Sequence, residues 1–272
     1  MKLVPFASSC LPFFLCAAAL TPRGPALSPQ SREIRVAAAA DLQFAMKDLA
    51  AEYEKGAGNK VIPTFGSSGN FFSQIQNGAP FDAFFSADVE YARKLEASGH
   101  AEPGTLFMYA IGRIVIWVPA GVRVDVARNH WDVLLDPEVQ RVAVANPQHA
   151  PYGRAAVDAL KGAGLFEKLE AKIVYGENIS QTAQFVESGN AQAGILSYSH
   201  ALSAPMKDKG AFWMIPQDLY PPIEQAAVVL KSSAQKDAAR AFLAFVKGPA
   251  ARAILERYGF TVPAVSAPPK GL

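Results

Sequence analysis

Cysteine is almost absent from this chain. Its 272 residues include two, Cys10 and Cys16, both close to the N-terminus. If that end is a removed leader, the exported chain has none. That excludes a disulfide framework, thiol catalysis and thiolate metal centres. An excess of either charge is missing too: 26 Lys and Arg stand against 24 Asp and Glu. Losing Lys2 and Arg23 with the leader leaves 24 against 24. A neutral chain has no electrostatic footprint for nucleic acid or an anionic membrane surface, so neither is expected as a partner. No run of about 20 apolar residues follows the leader. The histidines, His100, His130, His149 and His200, show no metal-ligand spacing and read as surface or turn residues. There is no G-x-S-x-G elbow, G-x-G-x-x-G fingerprint or H-E-x-x-H. Gly66-Ser67-Ser68-Gly69 lacks the Gly-Lys-Ser/Thr ending of a nucleotide loop. A secreted enzyme using a serine has no readable nucleophile–base pair, and no cofactor motif is present.

What is there begins with an export signal. Met1 to Ser28 carries one early charge, Lys2, then an apolar stretch broken by Pro5 and Pro12, then Ala17, Ala18 and Ala19. This pattern suits a cleaved signal peptide and export better than a membrane anchor. The Pro-containing tail from Val262 to Leu272 is expected to be loose.

Between these ends, strand-like and helix-like runs alternate. Strands are expected at 33–40, 61–65, 81–86, 113–118, 141–145, 173–175, 193–197, 212–215 and 225–230. Helices are expected at 41–55, 66–77, 89–97, 153–163, 180–187, 235–246 and 249–258. Leu42, Ala45, Met46, Leu49 and Tyr53 show the three-and-four spacing of the first helix. Such alternation predicts α/β units with mainly parallel sheets, whose ligands sit beyond the carboxyl ends of the strands.

The most informative stretch is Lys60 to Asn77, KVIPTFGSSGNFFSQIQN. An apolar strand runs into two glycines and two hydroxyls, then into a helix. The free N–H groups of a helix start bind anions. The same grammar recurs at Ala40-Asp41, Pro151-Tyr152-Gly153, Asn178-Ile179-Ser180 and Ser197-Tyr198-Ser199. One such turn is ordinary capping. Five in one chain point to a shared oxyanion site.

The segments VAAAADLQFAM, FGSSGNFFSQIQNGAPFDAFFSAD, YAIGRIVIWVP, VANPQHAPYGRAA and KGPAARAILERYGF span Val36 to Phe260. Together they resemble the periplasmic molybdate-binding proteins of ABC importers. The resemblance implies a two-lobed, type II-like periplasmic-binding-protein fold. Each lobe is then a mainly parallel sheet flanked by helices, with molybdate or tungstate in the cleft. Lobe I would be 33–112 plus 225–272, and lobe II 113–224. It implies a monomer that delivers its ligand to a membrane permease, without catalysis or cofactor. Carried over by position, the family's ligand turns fall at Ala40 and Asp41, at Ser67 and Ser68, at Tyr152 and at Ile179, the last two through backbone N–H. A fifth, hydroxyl position lands on Ser197, where some members have tyrosine; Tyr198 is adjacent. Arg154 and Tyr198 would stand behind these contacts. All of them reach oxygens of the anion, not a bare metal.

Asp41 departs from the family, whose members often carry serine or asparagine there. An ionised carboxylate cannot donate to an oxyanion and repels it. Three roles are open: a cap on its own helix, a partner of Arg154 or Arg113, or an acceptor for a protonated ligand such as phosphate or arsenate. Capping preference favours the first.

Overall fold

Apolar strands whose alternate residues enter opposite cores need cover on both faces, and helices supply it. The computed structural model describes Lys2 and residues 33–263. The expected leader, both cysteines and most of the tail lie outside the described residues. The strands are β1 (Glu33–Ala39), β2 (Lys60–Gly66), β3 (Ala83–Ser86), β4 (Phe107–Gly112), β5 (Ile114–Pro119), β6 (Val142–Ala145), β7 (Ile173–Gly176), β8 (Ala193–Ser197), β9 (Gly210–Met214) and β10 (Ile223–Val229). The helices are α1 (Gln43–Ala57), α2 (Ser68–Gln76), α3 (Val89–Ala97), α4 (Val126–Asn129), α5 (Pro151–Gly162), α6 (Phe166–Leu169), α7 (Ile179–Glu187), α8 (Tyr198–Ala201), α9 (Lys236–Val246) and α10 (Pro249–Arg257).

Two sheets form, each the base of one lobe. Their orders are β2-β1-β3-β10-β4 and β7-β6-β8-β5-β9. In the first, β1 pairs parallel with β2 and β3, and β10 runs antiparallel to β3 and β4. In the second, β6 pairs parallel with β7 and β8, and β5 runs antiparallel to β8 and β9. Each sheet is therefore mainly parallel, with one reversed strand in the same place. The chain leaves the first sheet at Gly112 and enters the second at Ile114; it returns at Ile223.

Period-two alternation sorts the strand side chains into their cores. In the first lobe, Val36 and Phe85 pack with Met46 and Phe242 on one face. Their neighbours Ala37 and Phe84 pack with Phe71 and Val228 on the other. In the second lobe, Ile114 and Ile116 join Val144 and Leu160, while Val115 and Trp117 join Val186 and Leu196. No helix of the described residues is long and apolar enough to cross a membrane.

Two departures from the sequence reading matter. Strand β4 was not anticipated. It is an edge strand, separated from β5 by Arg113 alone, so no turn residue marks its end. The first helix does not begin at Asp41. A tight 3-10 turn, Ala40–Leu42, precedes α1, which closes at Gly58 in the left-handed conformation (φ 65°).

Candidate functional site: a cavity between the lobes

Parallel strands aim their carboxyl ends the same way, so the turns that follow them cluster. Five such turns line one small cavity. Ala39, Ala40 and Asp41 follow β1, Gly66, Ser67 and Ser68 span the end of β2, and Ala87 follows β3. From the second lobe, Ala150, Pro151 and Tyr152 come from the turn after β6, and Asn178 and Ile179 from the turn after β7.

Three helices begin at this cavity. Ser68 and Ile179 are the first residues of α2 and α7, and Tyr152 is the second residue of α5. N–H groups in a first helical turn have no partner inside the helix. The local sequence keeps them for the cavity. Asn178 Oδ1 accepts from the N–H groups of Ser180 (3.0 Å) and Gln181 (3.1 Å), passing over Ile179. Pro151 opens α5 without an N–H to satisfy. Gly69 N–H donates across the cleft to the His149 carbonyl at 3.0 Å, leaving Ser68 N–H as the first donor of α2. A Cβ on Gly69 would stand 2.8 Å from that carbonyl oxygen, so only glycine allows this approach.

Ser68 is fully buried, and its Oγ accepts from Ala87 N–H at 2.9 Å. Its own O–H is thereby free to donate into the cavity. Ser67 Oγ lies 3.1 Å from His149 Nδ1.

Asp41 is 1% exposed. Its Oδ2 accepts from the Tyr152 hydroxyl (2.9 Å) and from Gln225 Nε2 (2.7 Å). The amide of Gln225 is oriented by the Tyr109 hydroxyl, which donates to its Oε1 at 2.7 Å. Oδ1 of Asp41 is buried with no hydrogen-bond partner. Burial pushes the Asp41 pKa up from 3.8 to about 6, against the opposing effect of Gln225, Tyr152 and the nearby N–H groups of Asp41 and Leu42. Burial likewise raises the Tyr152 and Tyr109 pKa values, with the Asp41 charge adding to it. Gly112 makes room for this network: a Cβ there would lie 2.1 Å from the Tyr152 hydroxyl.

Several sequence expectations change. Asp41 caps no helix through a side-chain hydrogen bond, because the 3-10 turn turns its carboxylate to Tyr152 and Gln225. It pairs with neither arginine. Arg154 bonds Asp88 Oδ2 at 2.5 Å, and Arg113 Nε is buried without a partner. Ser197 and Tyr198 are not in the cavity lining. Ser197 Oγ instead bonds His200 Nδ1 at 2.7 Å and Ser199 Oγ at 3.0 Å, and Tyr198 packs against Phe212. The turn after β3, through Ala87, takes the place expected for the turn after β8. His200 is buried, not a surface residue; burial pulls its pKa down from 6.5 to about 4, so it is neutral. Gln225 was missed. A lone amide inside the apolar run IEQAAVVL was the available signal, since a buried amide requires partners.

The lobes also meet around the cavity. Ser180 Oγ donates to Gln43 Oε1 (2.6 Å), Asn70 Nδ2 to Glu177 Oε1 (2.5 Å), and Ser199 Oγ to the Asp41 carbonyl (2.8 Å). Among the described residues no group of three metal-ligating side chains forms. The cavity is thus lined by helix starts and hydroxyl side chains, with no lysine or arginine among its lining residues.

Residues 34–261 match the family described as bacterial extracellular solute-binding protein. The chain belongs to that family. It is 40% identical over 237 residues to the molybdate-binding protein ModA of Rhodobacter capsulatus, covering 87% of this chain and 91% of the relative. It is 41% identical over 235 residues to ModA of Azotobacter vinelandii, covering 86% and 92%. The solved periplasmic molybdate-binding protein of Azotobacter vinelandii superposes with a TM-score of 0.79 at 36% identity, covering 85% of this chain and all of that one. The sulfate-binding protein SubI of Mycobacterium tuberculosis, at 18% identity and a TM-score of 0.69, shares the fold.

Proposed function

We propose that this protein is a periplasmic solute-binding protein that captures molybdate or tungstate and delivers it to the membrane permease of an ABC importer. One observation carries the reading. Three helix starts and the Ser68 hydroxyl converge on a cavity with no lysine or arginine in its lining, in a chain about 40% identical to molybdate-binding proteins. Oriented N–H and O–H dipoles replace the hydration shell of a dianion without a counter-charge. The contacts are the N–H groups at Ala40–Asp41, Ser67–Ser68, Tyr152 and Ile179, with the Ser68 hydroxyl held by Ala87. Residues 33–112 with 225–272 act as one lobe and 113–224 as the other, closing over the anion about the crossing strands. The protein works as a monomer, exported by its leader, and binds without turnover or cofactor.

Selectivity follows from size. Molybdate and tungstate have longer bonds to oxygen than sulfate, so a rigid ring of donors spaced for them holds sulfate poorly. Thermal unfolding with an oxyanion panel tests this. Molybdate and tungstate at 100 times their dissociation constant should each add about 2.7 kcal/mol, sulfate and phosphate far less. A clear shift with phosphate and none with molybdate would refute the assignment.

A further inference from the structure

Asp41 is the only carboxylate in the cavity lining. Its two oxygens are unequal. Oδ2 already receives two donors, from Tyr152 and Gln225. Oδ1 is buried and accepts no well-formed hydrogen bond, although the N–H groups of Asp41 and Leu42 lie near the carboxylate, in a residue that lines the cavity. An ionised Oδ1 beside a bound dianion would repel it in this buried position. A proton placed on Oδ1 reverses the interaction, because a neutral carboxylic acid donates one hydrogen bond. The proton belongs on Oδ1, since a hydrogen on Oδ2 would face the incoming Tyr152 and Gln225 hydrogens.

Resting on the molybdate reading above, we propose that the oxyanion enters this site together with one proton from solvent, held on Asp41 Oδ1 and donated to a ligand oxygen. The balance is simple. The dianion, the ionised carboxylate and one proton give a complex with two negative charges instead of three. No bond other than the O–H is made or broken.

The surroundings leave Asp41 to carry that proton. Tyr152 from α5 faces it directly and Tyr109 from β4 through Gln225; burial holds both hydroxyls protonated. His200, from α8 packed on the 3-10 turn, is held neutral. Around the cavity, Arg154 is paired to Asp88, and Glu177 lies 3.5 Å from His149 Nε2. The upward shift of Asp41 to about 6 in the free protein means that it is mostly ionised at pH 8 and must gain its proton on binding.

Isothermal calorimetry of the purified protein with sodium molybdate tests this at pH 8, in two buffers of different ionisation enthalpy. The expected result is uptake of about one proton per anion, with affinity falling about tenfold per pH unit above pH 7. Asp41→Asn presents an amide donor in place of the acid. It should bind molybdate with no proton uptake and with an affinity flat between pH 6 and 9. Wild-type binding with no net proton uptake would overturn the proposal and leave the molybdate assignment standing. Persistent uptake in Asp41→Asn would overturn it as well, placing the proton elsewhere. If Asp41→Asn fails to fold, the wild-type buffer dependence decides alone. Absence of molybdate binding in the wild type would overturn the functional assignment itself, and this proposal with it.

Discussion

The two walls of the cavity are made of different chemistry. The first lobe adds polar side chains to its backbone N–H groups, since Ser67, Ser68 and Asp41 line the cavity. The second lobe presents backbone. Ile179 buries its side chain in the core cluster that holds Ile114 and Val144, and Tyr152 sends its hydroxyl back to Asp41, which leaves the backbone N–H groups as the donors proposed for both. A wall of side chains depends on residue identity. A wall of backbone depends on helix position and tolerates any side chain that keeps the helix in place.

That contrast can be broken at Ser68 first. Ser68→Ala removes a donor to a charged ligand and leaves the Ala87 N–H without its acceptor. Molybdate affinity should fall by about 3 kcal/mol, more than a hundredfold. Ser67→Ala, which loses only the His149 contact, should cost far less. Titration showing both at wild-type affinity would remove the first wall from the site.

The second wall is tested by proline. Ile179 is the first residue of α7 and follows Asn178 in extended backbone (φ −150°, ψ 177°), where proline fits without costing a helix bond. Ile179→Pro should lower molybdate affinity by about 2 kcal/mol through the lost N–H. Ile179→Val, with the N–H kept, should bind within about threefold of wild type, under 1 kcal/mol. Equal affinities for the two variants would show that the second wall does not bind through its backbone.

A third test sharpens the first wall without ligand. Folding raises the Asp41 pKa from 3.8 to about 6, so the folded chain holds more protons between these values. The contribution of Asp41 is best at low pH and is lost as pH rises through about 6. Asp41→Asn should therefore stabilise the free protein by roughly 2 kcal/mol at pH 8, with the gain vanishing towards pH 4. His200 acts in the opposite sense: its contribution is complete above 6.5 and is lost as pH falls towards about 4. It does so in both proteins and cancels in the difference. A gain that does not change with pH, followed by thermal unfolding, would contradict this linkage.

The smallest effect belongs to a residue outside both walls. Ser197 caps α8 by accepting from His200 N–H. Ser197→Ala should cost about 1 kcal/mol of stability and leave molybdate affinity unchanged. A tenfold loss of affinity would return that turn to the site.

The same contrast explains what the sequence could reveal. The parallel α/β units were legible because apolar runs alternate with helical periodicity, as in Val36–Tyr53. The Ser67-Ser68 turn was legible because glycines and hydroxyls at a strand–helix junction have few other uses. The turns holding Tyr152 and Ile179 were legible as helix starts, but their roles as backbone donors came only through family resemblance, since a backbone donor leaves no mark on residue type. Ala87 was invisible for the same reason. Ser197 misled because a capping serine and a ligand serine look alike until the fold shows which way the hydroxyl points. Asp41 was read as a cap on local preference, while its partners Tyr152 and Gln225 lie 111 and 184 residues away in sequence.

The most direct measurement is a crystal structure with molybdate, using the anomalous signal of molybdenum to place the anion. One peak is expected in the cavity, its oxygens within hydrogen-bond distance of the Ser68, Tyr152 and Ile179 nitrogens and of Ser68 Oγ. A molybdenum peak elsewhere, or an empty cavity at saturating molybdate, would contradict the account.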